Sequence, residues 1–296
     1  MSKIASTFSR LIRFHPKSNP SLTLIGEPTD PSLDVGLAIY KNQDVPVSLF
    51  SGSSILNPGS KTSDVESVAR LLSPISHDEV GTIRCIGLNY TSHAFEMSLP
   101  IPPVPTLFLK PSSALSHPYP TSPTILPHIT QVDGTGDYES EMAIILGREC
   151  KDVSEDEAMA YVLGYTAAND VSSRTSQMGQ SQWCFSKGFD GSCPLGPVLV
   201  SAREIPDVGA MHIKGIKNGR VMQDCSLTDL IFSVPKLVSF LSQGTTLPAG
   251  TVILTGTPPG VGAAKNPKEF LKAGDEFAVE LLPFVGTLVT RVEEQQ

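Results

Sequence analysis

The sequence predicts an α+β fold that is mostly β, or an all-β one, built on a closed sheet rather than a doubly wound one. Two observations carry this. Short apolar runs recur along the chain, bounded by Gly, Pro, Asp and Asn, and the segments that read as helices are few and short. No internal repeat is visible, so a solenoid or propeller is not the reading.

Residues 1–78 read as a small leading α/β module. Lys3, Arg10, Arg13 and Lys17 occur in the first twenty residues without an acid, and Ile4, Phe8, Leu11 and Ile12 share a helical face. A mitochondrial targeting segment therefore competes with a first strand at residues 11–14; the strand is the expectation adopted. Apolar runs follow at 22–25, 35–40 and 47–50, and a helix is expected at 63–72. Ser73-Pro74 and Ser76-His77 close the module as a linker.

A larger domain, residues 79–296, has its first apolar strand from Ile83. Residues 100–136 are rich in Pro, Ser and Thr, too irregular for regular elements apart from a strand at 106–110. Loops this long inside a domain are usually functional or disordered. Residues 142–146 and 165–168 read as buried strands. Ser154 and Glu157 have capping-box spacing and open a short helix. Asn218-Gly219 between two apolar runs predicts a hairpin turn. Pro235 suits the first turn of a helix reaching Gln243, with Gly244 as its stop. Residues 251–255, 277–282 and 287–292 complete the strands.

Composition bounds the function. At 296 residues and 40% hydrophobic content the chain can form one large domain with a smaller companion. No apolar run approaches the roughly 20 residues that span a bilayer. A net charge of −8 without a basic stripe argues against nonspecific nucleic-acid binding. Cysteines at 85, 150, 184, 193 and 225 form no C-x-x-C pair and leave one odd. With no signal-peptide hydrophobic core, a reduced interior is expected: the cytoplasm, with the mitochondrion as alternative.

The chemistry-bearing residues begin with Asp137-Tyr138-Glu139-Ser140-Glu141. A strand sends residues i and i+2 to one face, so Glu139 and Glu141 point together, and Asp170 at the end of the next apolar strand could supply a third oxygen. Like charges held together call for a cation, and three hard oxygens suit Mg²⁺ or Mn²⁺ rather than Zn²⁺. The plain alternative is solvated carboxylates at strand ends. His93 and Glu96, at i and i+3, could form an imidazole held by a carboxylate, a general base, or merely a surface ion pair. Lys187 lies in an aromatic, Gly-containing stretch, and Arg174 and Gln177 could hold a substrate carboxylate by forked hydrogen bonds. The loop 255–262 lacks the Lys-Ser/Thr end of a phosphate loop; its glycines bring backbone amides to a ligand or simply make a tight turn.

Together the strings GLNYTSHAFEM, DYESEMAIILG, GYTAANDVSSRTSQ, FSKGFDGSCPLGP, NGRVMQD, IFSVPKLVSFLS and ILTGTPPGVG resemble the fumarylacetoacetate hydrolase superfamily, from about Ile83 to Val292. ILTGTPPGVG and FLKAGDEF resemble its two-module branch, which includes mitochondrial members. The resemblance implies a β-sandwich-roll catalytic domain, usually a homodimer, with Mg²⁺ or Mn²⁺ on Glu139, Glu141 and Asp170. It also implies a base segment at His93 and Glu96, an active-site lysine at Lys187 and a loop threonine at Thr257. Where the family reads S-A-R-D-x-Q, this chain has Ser172-Ser173-Arg174-Thr175-Ser176-Gln177, losing an acid at Thr175; Ser186-Lys187-Gly188 replaces Gly-Lys-Ser. These departures bear on substrate preference. The implied activity is metal-dependent chemistry on 2-oxo or 1,3-dicarbonyl acids through an enolate. Hydrolytic C–C cleavage of a fumarylpyruvate-like acylpyruvate leads; oxaloacetate tautomerisation or decarboxylation is the alternative. A catalytically silent scaffold is the rival from another class.

Overall fold

Two consecutive strands, Ser140–Leu146 and Val162–Asn169, are buried at every position and pair antiparallel, Ser140 opposite Asn169 and Ile144 opposite Tyr165. The computed structural model describes residues 7–296. Unbroken apolar strands need cover on both faces. Here Met142, Ile144 and Leu146 enter one hydrophobic core while Ala143 and Ile145 enter the other, the alternation that a pleated strand imposes.

The central pair lies inside a long sheet. On one side stand Cys193–Ser201, Arg10–Pro16, Lys61–Leu72, Pro46–Phe50 and Leu24–Pro28; on the other, Val252–Leu254, Ile83–Gly87 and Thr106–Lys110. Arg10–Pro16 joins the leading residues to the rest: Arg10 and Leu11 pair with Val200 and Leu199, whereas Ile12 to Phe14 pair with Gly26 to Leu24. A second, five-stranded sheet runs Arg220–Ser226, His212–Lys217, Glu276–Leu282, Gly286–Glu294 and Thr124–Leu126. It packs Phe277, Val279, Leu281 and Leu288 into the core shared with Ile144.

Several expectations hold for local reasons. Residues 11–14 lie in a strand, while Ile4 of the possible targeting face falls outside the described residues. Asn218 and Gly219 have φ of 50° and 77°, the left-handed pair that a tight hairpin requires. The helix Val234–Ser242 has Ser233 accepting from the Lys236 amide, and Gly244 follows it at φ 64°.

Two expectations fail. Residues 63–72 are not helical: Lys61–Leu72 is a strand paired on both edges, with Pro46–Phe50 and Arg10–Pro16. Thr62, Val65 and Val68 fit a pleated surface, and pairing with distant strands outweighs local spacing. Residues 100–136 hold more regular structure than expected, including Thr124–Leu126 and the helix His128–Asp133.

His117 gives the fold a pH dependence. Its Nδ1 accepts the Ser73 amide proton at 3.1 Å, which requires a neutral ring. Burial, then Arg13 and His77, depress its pKa from 6.5 to about 4. Between these values the unfolded chain binds the extra proton, so this stabilising contribution is complete above about pH 6.5 and declines toward pH 4. Replacing His117 by Gln, whose carbonyl can accept the same proton, should flatten the fall in melting temperature across that window. An unchanged slope would assign the acid sensitivity elsewhere.

Candidate active site

The site is built at the end of the two central strands. Glu139 precedes Ser140–Leu146, Glu141 lies within it, and Asp170 follows Val162–Asn169. The Ser140–Asn169 pairing fixes all three at one level. One oxygen from each lies within 4.8 Å of the others, and all three residues are buried. Ser140 turns away, donating from its amide and its hydroxyl to Gln223 Oε1.

Cations hold most of this charge. Lys187 Nζ donates to Glu139 Oε2 at 2.7 Å and to Asp170 Oδ2 at 2.9 Å. Arg174 stands 2.7 Å from Glu139 Oε1 and donates through Nε to Asp137 Oδ2 at 2.8 Å. Arg174 also donates to Gln177, while its buried Nη2 has no hydrogen-bond partner among the described residues. Lys110 Nζ forms an ion pair with Asp170 Oδ1 at 2.8 Å and donates to Val171 O, Lys187 O and Ser192 O. Burial raises the Glu139 pKa, but Lys187 and Arg174 outweigh it and hold the carboxyl below its ordinary value. Burial pulls the Lys187 ammonium down, but Asp170 and Glu139 more than restore it.

Glu141 is the exception. Its carboxyl accepts the Gly256 amide proton at 2.7 Å and forms no ion pair among the described residues. Burial, then the charges of Asp170 and Glu139, push its pKa well above the ordinary carboxylate range. Gly256 has φ 95°, and a Cβ there would lie 2.8 Å from Asn89 Cβ, so only glycine brings that amide to Glu141. Four buried carboxylates (Asp137, Glu139, Glu141 and Asp170) thus face three cations. Three all-oxygen donors, with neither sulfur nor imidazole among them, fit a hard divalent cation.

His93 sits on the short helix Thr91–Glu96, its Nδ1 2.8 Å from Glu96 Oε2. A carboxylate only accepts, so Nδ1 carries the proton and Nε2 is left as the basic nitrogen. Both Glu96 oxygens accept the Gly260 amide, at 2.9 and 3.1 Å. Burial raises the Glu96 pKa, but His93 and Gly260 outweigh it, and the net shift is downward. Thr257 Oγ1 donates to Ser140 O at 3.1 Å and accepts from Gln223 at 2.7 Å. His93, Glu139, Arg174, Gln177, Lys187 and Thr257 line one cavity of about 200 Å³; Glu96, Glu141 and Asp170 do not line it, but Glu96 holds His93, Asp170 holds Lys187 and Glu141 neighbours Glu139. A larger cavity, about 740 Å³, lies around His77, His117 and Asp190, away from the acid cluster.

Sequence reasoning missed Asp137, Lys110 and Gln223. Asp137 was within reach: it stands two residues before Glu139, and it accepts the amides of Gly262 and Ala263 besides Arg174. Lys110, ending the strand Thr106–Lys110, gave no local sign of being buried.

This fold and site define an enzyme class, and comparison with known proteins names it. Residues 82–293 match the C-terminal domain of fumarylacetoacetate hydrolase, and the chain belongs to that family. It is 42% identical over 300 residues to the caffeoylpyruvate hydrolase of Neonothopanus nambi, covering 100% of this chain and 97% of that one. A mitochondrial oxaloacetate tautomerase of Bos taurus is 39% identical over 223 residues, 75% of this chain and 68% of that one. The solved 5-carboxymethyl-2-hydroxymuconate delta-isomerase of Mycobacterium smegmatis superposes with TM-score 0.78 at 30% identity, covering 97% of this chain and 100% of that one.

Two variants test the charge cluster. Asp170→Ala should remove most Mn²⁺ affinity, measured by titration of the folded variant against free Mn²⁺, and should also lower stability, because Lys110 and Lys187 lose a buried partner. Wild-type affinity would dismiss Asp170 as a ligand. Lys110→Met leaves Asp170 and several carbonyls short of a buried cation, and should lower stability by about 3–5 kcal/mol in urea unfolding. A loss below about 1 kcal/mol, typical of an exposed pair, would show that Lys110 is dispensable.

Proposed function

We propose that the chain is a divalent-metal-dependent hydrolase that cleaves the C–C bond of an acylpyruvate. The observation that carries this is that His93, held by Glu96, lines the same cavity as Glu139 and Lys187. Similarity to a caffeoylpyruvate hydrolase along the whole chain supports it. Water adds to the distal acyl carbonyl, forming a C–O bond. The bond from that carbon to the CH₂ then breaks, leaving its electron pair on the pyruvate enolate. Protonation of the enolate carbon gives pyruvate, a carboxylate and one proton overall.

In this mechanism His93 Nε2 takes the proton of the attacking water, and Glu96 holds the resulting imidazolium in place. Arg174 and Gln177, which both line the cavity, receive the substrate carboxylate. Lys187 offsets charge that develops on the enolate oxygen. Glu139, Glu141 and Asp170 would hold Mg²⁺ or Mn²⁺, which when bound supplies a Lewis acid beside the 2-oxo group. A silent scaffold would have no need of so costly a buried cluster.

The second reading is an oxaloacetate tautomerase or decarboxylase using the same site, supported by similarity to the bovine tautomerase. Release of pyruvate and an acid from acetylpyruvate, against enol decay of oxaloacetate, separates the two. Loss of acetylpyruvate cleavage on chelation and its return with Mg²⁺ is expected; no cleavage under any metal would favour the second reading. Among the described residues no helix is long and apolar enough to cross a membrane. The proposal extends to a homodimer, in keeping with the family resemblance, and to the cytoplasm. The mitochondrion is the alternative, since one relative is named mitochondrial.

His93→Ala should lower kcat by about 10²- to 10⁴-fold, the usual worth of a general base, with Mn²⁺ affinity near normal. Glu96→Gln should cost less, because the amide oxygen can still accept the Nδ1 proton but offers the imidazolium no charge. An unaltered rate in His93→Ala would reduce the pair to a surface contact.

Arg174 and Lys187 can be separated by kinetics. Loss of a contact to the carboxylate, present throughout the reaction, raises KM; loss of a contact to the developing enolate lowers kcat. Lys187→Met should chiefly lower kcat. Arg174→Met should raise KM with a smaller kcat loss, since Arg174 also holds Asp137 and Glu139. The reverse pattern would exchange the two roles.

A further inference from the structure

We infer that the acyl end of the substrate is large, flat and apolar, and that Trp183 sets this preference. The inference rests on the acylpyruvate reading above and specifies its substrate class. The cavity wall is chemically divided. Beside the polar residues already described stand Leu88, Met97, Leu99, Phe108, Met178 and Trp183. The two parts meet at Phe108: Lys187 Nζ lies 5.0 Å from its ring centroid, and the Trp183 ring lies 5.6 Å from it, edge-on at 66°. An acyl group extending from Lys187 past Phe108 therefore reaches the indole.

The seat of Trp183 is built for it. Gly87 faces the indole, and a Cβ there would lie 2.5 Å from Trp183 Cζ3, so only a bare Cα allows this approach. The next residue, Leu88, lines the cavity at φ 52°, a left-handed conformation that is strained for a bulky side chain. Strain of this kind concentrates at functional sites. Leu99 and Met178 line the same cavity yet remain 51% and 69% exposed, apolar surface that a bound acyl group would cover.

Charge points the same way. The cationic residues lining the cavity are Arg174 and Lys187, with His93 if protonated. Lys187 is spent on Glu139 and Asp170, and Arg174 on Asp137, Glu139 and Gln177, so the cavity has little cationic charge to spare for a second carboxylate. Among the described residues, no further lysine or arginine lines the cavity. A second, distal carboxylate, as in a fumaryl acyl group or oxaloacetate, would lie against this apolar wall without a cationic partner. An aromatic ring instead gains buried area and edge-to-face contacts.

The test compares benzoylpyruvate, acetylpyruvate and fumarylpyruvate with the Mg²⁺-supplemented full chain, following diketone absorbance and pyruvate release. Wild type should prefer benzoylpyruvate over fumarylpyruvate by about 10²-fold in kcat/KM, the scale that pocket complementarity reaches. In Trp183→Ala the ratio of benzoyl- to acetylpyruvate kcat/KM should fall at least about tenfold, mainly through KM, and Trp183→Phe should restore much of it. Melting temperatures of both variants identify any that fails to fold, and the wild-type ranking stands independently of them. Equal or better use of fumarylpyruvate, or an unchanged ratio in a folded Trp183→Ala, would overturn the inference while leaving the hydrolase reading intact. No pyruvate from any of the three would overturn both.

Discussion

The structure depends on the containment of negative charge inside a β core. Asp137, Glu139, Glu141 and Asp170 are all buried, and removing such ions from water costs several kcal/mol each unless they are closely paired. Lys110, Arg174 and Lys187 supply the pairing, each bridging more than one acceptor. Among the described residues the carboxyl groups of the cluster outnumber its cations by one, and the one left over is Glu141, whose raised pKa favours the neutral acid. A divalent ion would reverse the sign of the site and leave it attractive to an anionic 2-oxo acid.

The scaffold explains why these groups stay in register. Strand pairing fixes the three acids at the end of the sheet, and the loop after Val252–Leu254 ties the acids to the candidate base. Its Gly256 amide meets Glu141, and its Gly260 amide meets Glu96, which in turn holds His93. Asn89 fastens the other side, donating to Thr255 O and Phe232 O while accepting the Phe232 amide. Polar groups aimed from several rigid elements at one cavity form the kind of preorganised site that stabilises developing charge.

How much of this was legible in the sequence follows from the range of each interaction. The Glu139–Glu141 pair and the His93–Glu96 pair were readable because strand and helix periods place such neighbours together. The Asn218-Gly219 turn was readable from its own residues. Lys110 was not, because its acceptors Val171 and Ser192 lie 61 and 82 residues away, nor was Gln223, 83 residues from Ser140. The strand Lys61–Leu72 was misread as a helix for the same reason, since its partners are the distant Arg10–Pro16 and Pro46–Phe50. The apolar cavity wall was equally hidden: Leu88, Leu99, Phe108 and Trp183 come from separate segments that only the fold unites.

The central claim is that metal and anion complete one another's charge at this site. Linkage makes that reciprocal: if the cation prepares the site for a 2-oxo acid, the acid must tighten the cation by the same factor. The most direct measurement is Mn²⁺ binding by electron paramagnetic resonance of the free ion, with and without saturating pyruvate. The account predicts one Mn²⁺ per chain, bound more tightly when pyruvate is present. No Mn²⁺ binding, or binding that pyruvate weakens, would contradict it.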